Sequence, residues 1–555
     1  MVAIEIKMAL VKFSKKEFEK HVKLSKEIEE KIAMFGTPFE GVENDEIAIE
    51  IFPNRPDLLS LHGYIRSFLS FIGKKPGMKK YLPLKPQKDF EVFVDKSVQD
   101  VRPFTACAIV KNLKFDDNMI KEIIDIQEKL HATIGRNRKK VAIGIYPLEK
   151  IKLPIRFEAR KPQDIRFIPL ESDKEMDGMQ ILEQHPTGRE YASLLGGMKK
   201  FPVFVDSNNE ILSMPPIINS HKTGKIDETT KDIFIECSGF DLQVLKKTLN
   251  ILVTMFADMN GEVYQMKVMY GNKPEITPDL EPEKIKIDIN KVNKLLGLNL
   301  KEEEIKKLLE RMNYEYSKGE VSVPAWRTDI LHEVDIIEDI AIAYGYESFI
   351  PKLPEISTVG NEDRKEVLKR KISEILIGLG FLETSSYHLL TKEDIEKVGL
   401  KKVIEVEKSK TDYKFLRPNL LCSMMKTLGG NIDSEYPQKI FEIGNVFEKN
   451  DKFETGIAER TKLIVAMTPA NFTEINQVLN YLARALEVNF YLEKEKQEPF
   501  IEGRTGKILF RNKQKKEMNI GMIGEIHPSL LREWHLKMSL ALFEIDLEKI
   551  FEELY

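Results

Sequence analysis

Short runs of alternating β-branched and aromatic residues recur from one end of the chain to the other, separated by amphipathic helical patterns and by three proline-bearing breaks. Such a pattern calls for several mixed layers of helix and sheet rather than one. The breaks are KKPGMKKYLPLKPQKD (74–89), with three prolines and six lysines, PDLEPEK (278–284) and PKLPEIS (351–357). At roughly 100–200 residues per domain, a chain of 555 residues should hold three to five domains. The expected division is an N-terminal domain with its linker (1–85), a mixed α/β domain (86–277), a small unit (278–353) and a C-terminal domain (354–555). The fold class expected is α+β, multidomain, with no fixed-period repeat and no low-complexity tract.

Within 1–85, a short strand should precede a charged helix from Ser14 to about Ala33. Ile47, Ile49 and Ile51 then alternate with polar or small residues as a strand does. Pro53 and Pro56 end that strand, and Asp57 or Ser60 can cap the apolar helix that follows. The runs FEVFVD, CAIVKNL, VAIGIY, PVFVD and DIFIEC predict strands in the second domain, with helices over 118–133 and 241–258. In 278–353 the order is strand, two helices, a β-ribbon around Gly319 and an acidic apolar helix, which suits a small winged or DNA-binding-like module. The last domain opens on a long helix (364–380). Strands over FLETSSYHLL, KIFEIGNVFE, KLIVAMT, GKILF, NIGMIGEI and LALFEID follow, with a helix over 475–486, the arrangement of helices packed on a mostly antiparallel sheet.

Eighty-five basic against 89 acidic residues give a net charge of −4, which excludes a chain dominated by nucleic-acid-binding charge while leaving room for a local basic track. Cys107, Cys237 and Cys422 lie far apart and make no C-x-x-C spacing, as expected of reduced, buried thiols in a cytoplasmic protein. The start MVAIEIKMALVKF has no signal-peptide pattern, and no apolar stretch approaches the roughly 18 residues that span a bilayer.

No phosphate-cradling G-x-x-x-x-G-K-S/T loop, dinucleotide G-x-G-x-x-G, H-E-x-x-H or G-x-S-x-G elbow is present, and the nine histidines do not cluster. The constellation that remains is VPAWRTDILHEVDIIEDIAIAYGYESFIP (323–351). Asp335, Glu338 and Asp339 fall at i, i+3 and i+4 on one helix face, and Asp329 lies within reach from the preceding loop. Four converging carboxylates need a neutralising cation, and hard oxygen donors suit Mg²⁺. The plainer alternative is an acidic helix start favoured by the macrodipole, with Asp329 capping a loop.

P-x-W-R-x-D-I, the spaced acids and A-x-x-Y-G-Y closely resemble the signature of the phenylalanyl-tRNA synthetase β-subunit family. FPNRPDLLSLHGYIRSF (52–68) resembles its N-terminal P-N-R-x-D motif. RPFTACAIVKNLK, LHATIGRNRKKVAIGIYPLEKI and 184–240 resemble its archaeal-type editing region, and GLGFLETSSYHLL, FLRPNLLCSMMKTLGGN, KIFEIGNVFE and IGEIHPSLL its catalytic-like module. The resemblance implies Mg²⁺ held close to an α subunit by Asp329, Asp335, Glu338 and Asp339, the last being Glu in many members. It implies an (αβ)₂ heterotetramer in which ATP and phenylalanine are handled on the α subunit. The chain shows no glycine-rich segment ending in arginine to hold ATP, and Arg417, at a second-motif-like position, reads as fold-holding or interfacial. The helix 364–380 and FLETSSYHLL would meet the α subunit. The lengths before and after these motifs leave no room for the extra bacterial domains, which implies the archaeal/eukaryotic form.

The resemblance also implies hydrolysis of tyrosine wrongly attached to the phenylalanine tRNA, because a pocket sized for phenylalanine rejects an added hydroxyl poorly. The candidates are Glu236, to accept from the tyrosine hydroxyl, with Ser213, Asn219 and Ser238 to position the ester and a water. Satisfied polar residues at strand ends are the alternative. The family pattern D-x-T-G-T-D is E-C-S-G-F-D here (236–241), with Phe240 the largest departure. Lys74, Lys75, Lys79, Lys80, Arg136, Arg138, Lys139 and Lys140 are candidates for a tRNA phosphate track or a solvated surface. Two other functions compete: a stand-alone nucleic-acid-binding regulator, which would purify without a partner, and a free-standing hydrolase of misacylated tRNA, active without an α subunit.

Overall fold

The structure, a computed structural model, describes residues 9–355, 358–407, 409–511 and 517–554. Residues 1–8, at the start of the first strand-like stretch, and Ile356 and Ser357 of the third break lie outside them. Helices and sheets alternate throughout in an α+β arrangement, and the chain divides into two compact units, one ending at Leu353 and one beginning at Pro354.

The first unit opens on a three-stranded antiparallel sheet of Ala9–Ser14, Glu46–Ile51 and Phe39–Glu43, with Glu46–Ile51 in the middle. Ile47, Ile49 and Ile51 point into the core as their spacing requires. The single helix expected over 14–33 is instead two, Lys15–Glu19 and Lys26–Met34, capped by Ser14 and Ser25. Phe18 and Val22 form one buried i, i+4 pair, and Ile28 and Ile32 form a second that packs on the same core. Six residues separate Val22 from Ile28, about 240° around a continuous helix, so one rod could not face both pairs inward. Helix Leu61–Phe71 is buried over nearly its whole length and is capped by Ser60, while Asp57 is taken by Arg55. The lysine-rich segment 74–89 is pinned rather than loose: Gly77 N–H donates to Glu310 O at 2.6 Å, and Lys79 and Lys80 pair with Asp258 and Glu315.

A ten-stranded sheet forms the centre of this unit. Its order runs Ile218–Asn219, Ile211–Met214, Phe201–Val205, Ile155–Arg160, Glu91–Val94, Glu262–Tyr270, Phe104–Lys111, Ile233–Gly239 and Val141–Pro147, with Lys273–Thr277 paired beside Glu262–Tyr270. The long helices Asp117–Ala132 and Leu242–Asp258 pack against it. A third sheet, of Glu283–Lys286, Glu320–Val323 and Glu315–Ser317, accompanies helices Ile289–Leu296, Glu302–Arg311 and Glu333–Tyr344.

The second unit is a seven-stranded sheet with helices on both faces. Alternation along Ile457–Thr468 explains the two layers: Leu463 and Val465 pack with helices Arg364–Gly378 and Phe472–Ala485, Ile464 and Ala466 with helix Leu421–Gly429. FLETSSYHLL, expected as one strand, holds only the two-residue strands Leu382–Glu383 and Leu389–Leu390. Between them Ser386 turns inward to Glu442. Cys107, Cys237 and Cys422 are free and buried. No helix among the described residues is long and apolar enough to cross a membrane.

Candidate functional site

Glu236 lies in the middle of strand Ile233–Gly239, flanked in register by Cys107 on one side and Gly144 on the other. It is 1% exposed, yet it lines a cavity of about 650 Å³ whose walls are mainly apolar, among them Ile120, Ile143, Ile145, Ile217 and Ile218. The volume is that of a small-molecule pocket, and polar side chains, among them Gln127, Glu128, Asn219 and His221, share the lining.

The polar floor is built by the two margins of the ten-stranded sheet meeting. Tyr146, on the margin strand Val141–Pro147, places its Oη 2.7 Å from Ser213 Oγ, 3.3 Å from Glu236 Oε1 and 3.4 Å from Asn219 Oδ1. Ser213 and Asn219 are register partners at the opposite margin. One phenolic proton serves one acceptor at a time, so the remaining contacts need protons from Ser213 or from Glu236 itself. Glu236 supplies one: burial pushes its carboxyl up to about 8, against the charge of Arg102 and the polar contacts of Ser238 and Tyr146. No hydrogen bond within the chain reaches Glu236 Oε2. Ser238, on the same strand face, accepts from Arg102 Nε at 3.1 Å, and Arg102 Nη2 donates to Ser238 O at 2.6 Å. Burial lowers the guanidinium of Arg102 to about 10, still charged at neutral pH.

Three of the four residues proposed from the sequence, Glu236, Ser213 and Asn219, thus meet at the Tyr146 hydroxyl, Ser238 lies on the Glu236 strand held by Arg102, and three residues that were not proposed complete the arrangement. Tyr146 links the margins, Arg102 holds Ser238, and Gly144 makes room: a Cβ there would stand 2.2 Å from Tyr146 Oη and 2.6 Å from Glu236 Oε1. A glycine inside the otherwise apolar strand VAIGIY was the available signal. Phe240 is half exposed, stacks over Arg102 and does not line the cavity. At the rim, His131 Nε2 accepts from Ile143 N–H at 2.9 Å, which fixes the neutral tautomer with Nδ1–H toward Glu128. Burial lowers this imidazole further. His131 is therefore fixed as a structural acceptor at the rim rather than placed as the base of a nucleophile.

The four acids of the 323–351 segment are dispersed in their contacts. Arg327 grips Asp329 with both Nε (2.9 Å) and Nη2 (2.7 Å), and the same Nη2 lies 2.7 Å from Asp339. Tyr314 also donates to Asp339. Burial would raise Asp329, but Arg327 outweighs it and holds the carboxyl low. Asp335 accepts from Leu331 N–H and His332 N–H at the helix start, and Glu338 is exposed. Among the described residues no group of three or more His, Cys, Asp or Glu is arranged to hold a metal. The set does not fit a four-carboxylate cage, because a guanidinium already neutralises two members. Arg55 and Asp57 of the N-terminal motif form a matching bidentate pair.

Of the basic groups, Arg138 is a clasp at the cavity rim, donating to Ile217 O and Glu128 and stacking on Tyr191. Arg136, Lys139 and Lys140 are exposed. Arg417 is 1% exposed and bonded to Glu442, Ser386 and Asn445 O within the second unit, a fold-holding role.

Three family models match the chain: the B3/4 domain over residues 102–259, the tRNA synthetase B5 domain over 285–346, and the phenylalanyl tRNA synthetase beta chain CLM domain over 350–547. The phenylalanine–tRNA ligase beta subunit of Archaeoglobus fulgidus is 37% identical over 534 residues, covering 94% of this chain and 95% of its own. That of Pyrococcus furiosus is 37% identical over 509 residues, 90% of each. Among solved structures, an N-terminal fragment of the phenylalanyl-tRNA synthetase beta-subunit from Pyrococcus horikoshii matches with a TM-score of 0.58 and 37% identity, covering 60% of this chain and 99% of the fragment.

Proposed function

Since the chain belongs to the phenylalanyl-tRNA synthetase β-subunit family, we propose that it is the non-catalytic half of the ligase and that the Glu236 cavity hydrolyses tyrosine wrongly joined to the phenylalanine tRNA. Activation and transfer of phenylalanine, with ATP, belong to an α partner in a cytoplasmic (αβ)₂ assembly. In this reading residues 86–277 edit, 278–353 form the winged, DNA-binding-like module, and 354–555 are a class II synthetase-like core without catalytic motifs. Exposed Arg136, Lys139 and Lys140 join the tRNA phosphate track.

The observation that carries the editing reading is a mainly apolar cavity that reaches Glu236, a buried acid bonded to Tyr146 behind it and with one carboxyl oxygen free of any hydrogen bond within the chain. A tyrosyl ring fills the apolar walls and its hydroxyl meets Glu236 Oε2. A phenylalanyl ring leaves that buried oxygen unpaired, and sites built to bond a hydroxyl reject the analogue lacking it strongly. With the proton of Glu236 engaged toward Tyr146 through Oε1, Oε2 accepts from the phenolic hydroxyl. In this reading Asn219, which lines the cavity, positions the ester and a water, while Ser213 and Ser238 support it from behind through Tyr146 and Arg102. No step passes through magnesium: an ion carried by this chain would meet Asp335 and Glu338, with water completing its shell.

The test is deacylation of Tyr-tRNA and Phe-tRNA by the αβ complex. The wild type should release tyrosine selectively, and Glu236→Ala and Tyr146→Phe should slow that release by about tenfold or more while phenylalanine charging continues. Tyr-tRNA that is stable in the presence of the complex, or is cleared equally by the variants, removes the editing assignment. Full-rate charging by the α partner alone removes the subunit assignment.

A further inference from the structure

A second cavity in the first unit, of about 350 Å³, opens between helix Leu61–Phe71 and the pinned segment that follows it. We propose that it binds a phosphate group, either free or as part of a nucleic-acid backbone. Five basic side chains line it, His21, His62, Arg66, Lys75 and Lys79, against one lining carboxylate, Asp258. Asp258 is already fully engaged, accepting from Arg66 Nη1 at 2.7 Å, Lys79 Nζ at 2.7 Å and Tyr81 Oη at 2.6 Å. One negative charge is thus shared between two cations, and a positive excess remains.

Arg66 gives that excess a direction. Its side chain is 4% exposed, yet Nε and Nη2 have no hydrogen-bond partner. The guanidinium stacks 4.3 Å from the Trp326 ring, which occupies its face and leaves its edge. The molecule itself shows what that edge is for. In Arg55 and in Arg327 the Nε and Nη2 pair grips both oxygens of an aspartate. In Arg66 the same edge is buried without a partner, and an edge of this shape takes a carboxylate or a phosphate bidentately. Lys75 and His21, both exposed at the rim, add the compact charge that favours the more highly charged phosphate. His21 is held below its ordinary value first by burial and then by the charges of His62 and Lys75, a crowding of cations that a bound anion relieves. At His62 burial also lowers the imidazole, but Glu122 outweighs it and keeps the ring protonated to higher pH than usual.

The experiment is calorimetric titration of inorganic phosphate into the full chain at constant ionic strength, with a fluorescent single-stranded RNA oligomer as the second arm. One saturable site per chain is expected. Lys75→Glu should weaken it by about tenfold or more, Arg66→Lys, which keeps the charge and removes the fork, should also weaken it, and Lys199→Glu, an exposed lysine elsewhere, should not. Lys75 is solvent-facing, so its variant tests the site even where an Arg66 variant fails to fold. Phosphate that displaces RNA identifies the nucleic-acid source; phosphate that binds with no effect on RNA identifies the free anion. Absence of saturable phosphate binding, or an affinity unchanged by Lys75→Glu, overturns the proposal.

Discussion

Glu236 keeps its proton far above the pH at which a free glutamate releases it, and this has a sign that can be followed. The unfolded chain deprotonates near 4.5 and the folded chain near 8, so between those values the folded state binds the extra proton. The group's contribution is fully present below about 4.5 and is lost as pH rises to about 8, a loss on the order of 4 kcal/mol across the window. Thermal unfolding followed from pH 5 to 8.5 should show the first unit weakening as pH rises, and Glu236→Gln should flatten that slope. Arg327 makes the opposite kind of case, a buried cation serving two carboxylates. Arg327→Met leaves Asp329 and Asp339 uncompensated and should lower stability by roughly 3–5 kcal/mol in urea unfolding. This arginine already balances the two acids, so the cost of Arg327→Met should be the same with and without a chelator.

At the scale of elements, the strands were legible because period-two alternation survives where one sheet face is buried, as in Glu46–Ile51, and a short continuous apolar run marks one buried on both faces, as in Ile457–Thr468. The break between Lys15–Glu19 and Lys26–Met34 was not, because each half has a sound helical pattern and only their phase disagrees. Composition misled at 74–89: six lysines read as a loose tether, whereas partners more than a hundred residues away hold two of them. The candidate site divides in the same way. Glu236, Ser213, Asn219 and Ser238 stood in motifs, but Tyr146 and Arg102 act through contacts across strands distant in sequence, which no local pattern records. The join they make is measurable. Tyr146→Phe removes the link between the Val141–Pro147 and Ile218–Asn219 margins, so amide exchange should speed up in those strands first, while Leu242–Asp258 keeps its protection. Uniform acceleration across the unit would count against a local join.

For the whole molecule, the division at Leu353 and Pro354 separates two sets of packed cores, each with its own sheets. Residues 1–353 and 354–555, produced separately, should each unfold in its own cooperative transition by calorimetry; a fragment lacking any such transition would show that its core is incomplete alone. The second unit keeps its buried Arg417 for internal bonds to Glu442, Ser386 and Asn445 O. The hydroxyl of Tyr146 has a broader consequence. In the editing reading proposed above, a single oxygen both holds the cavity's buried acid and fastens the curled sheet. Drift in what the pocket accepts is therefore tied to drift in heat tolerance, and lineages that broaden or narrow the choice should carry compensating changes elsewhere along those same two margins.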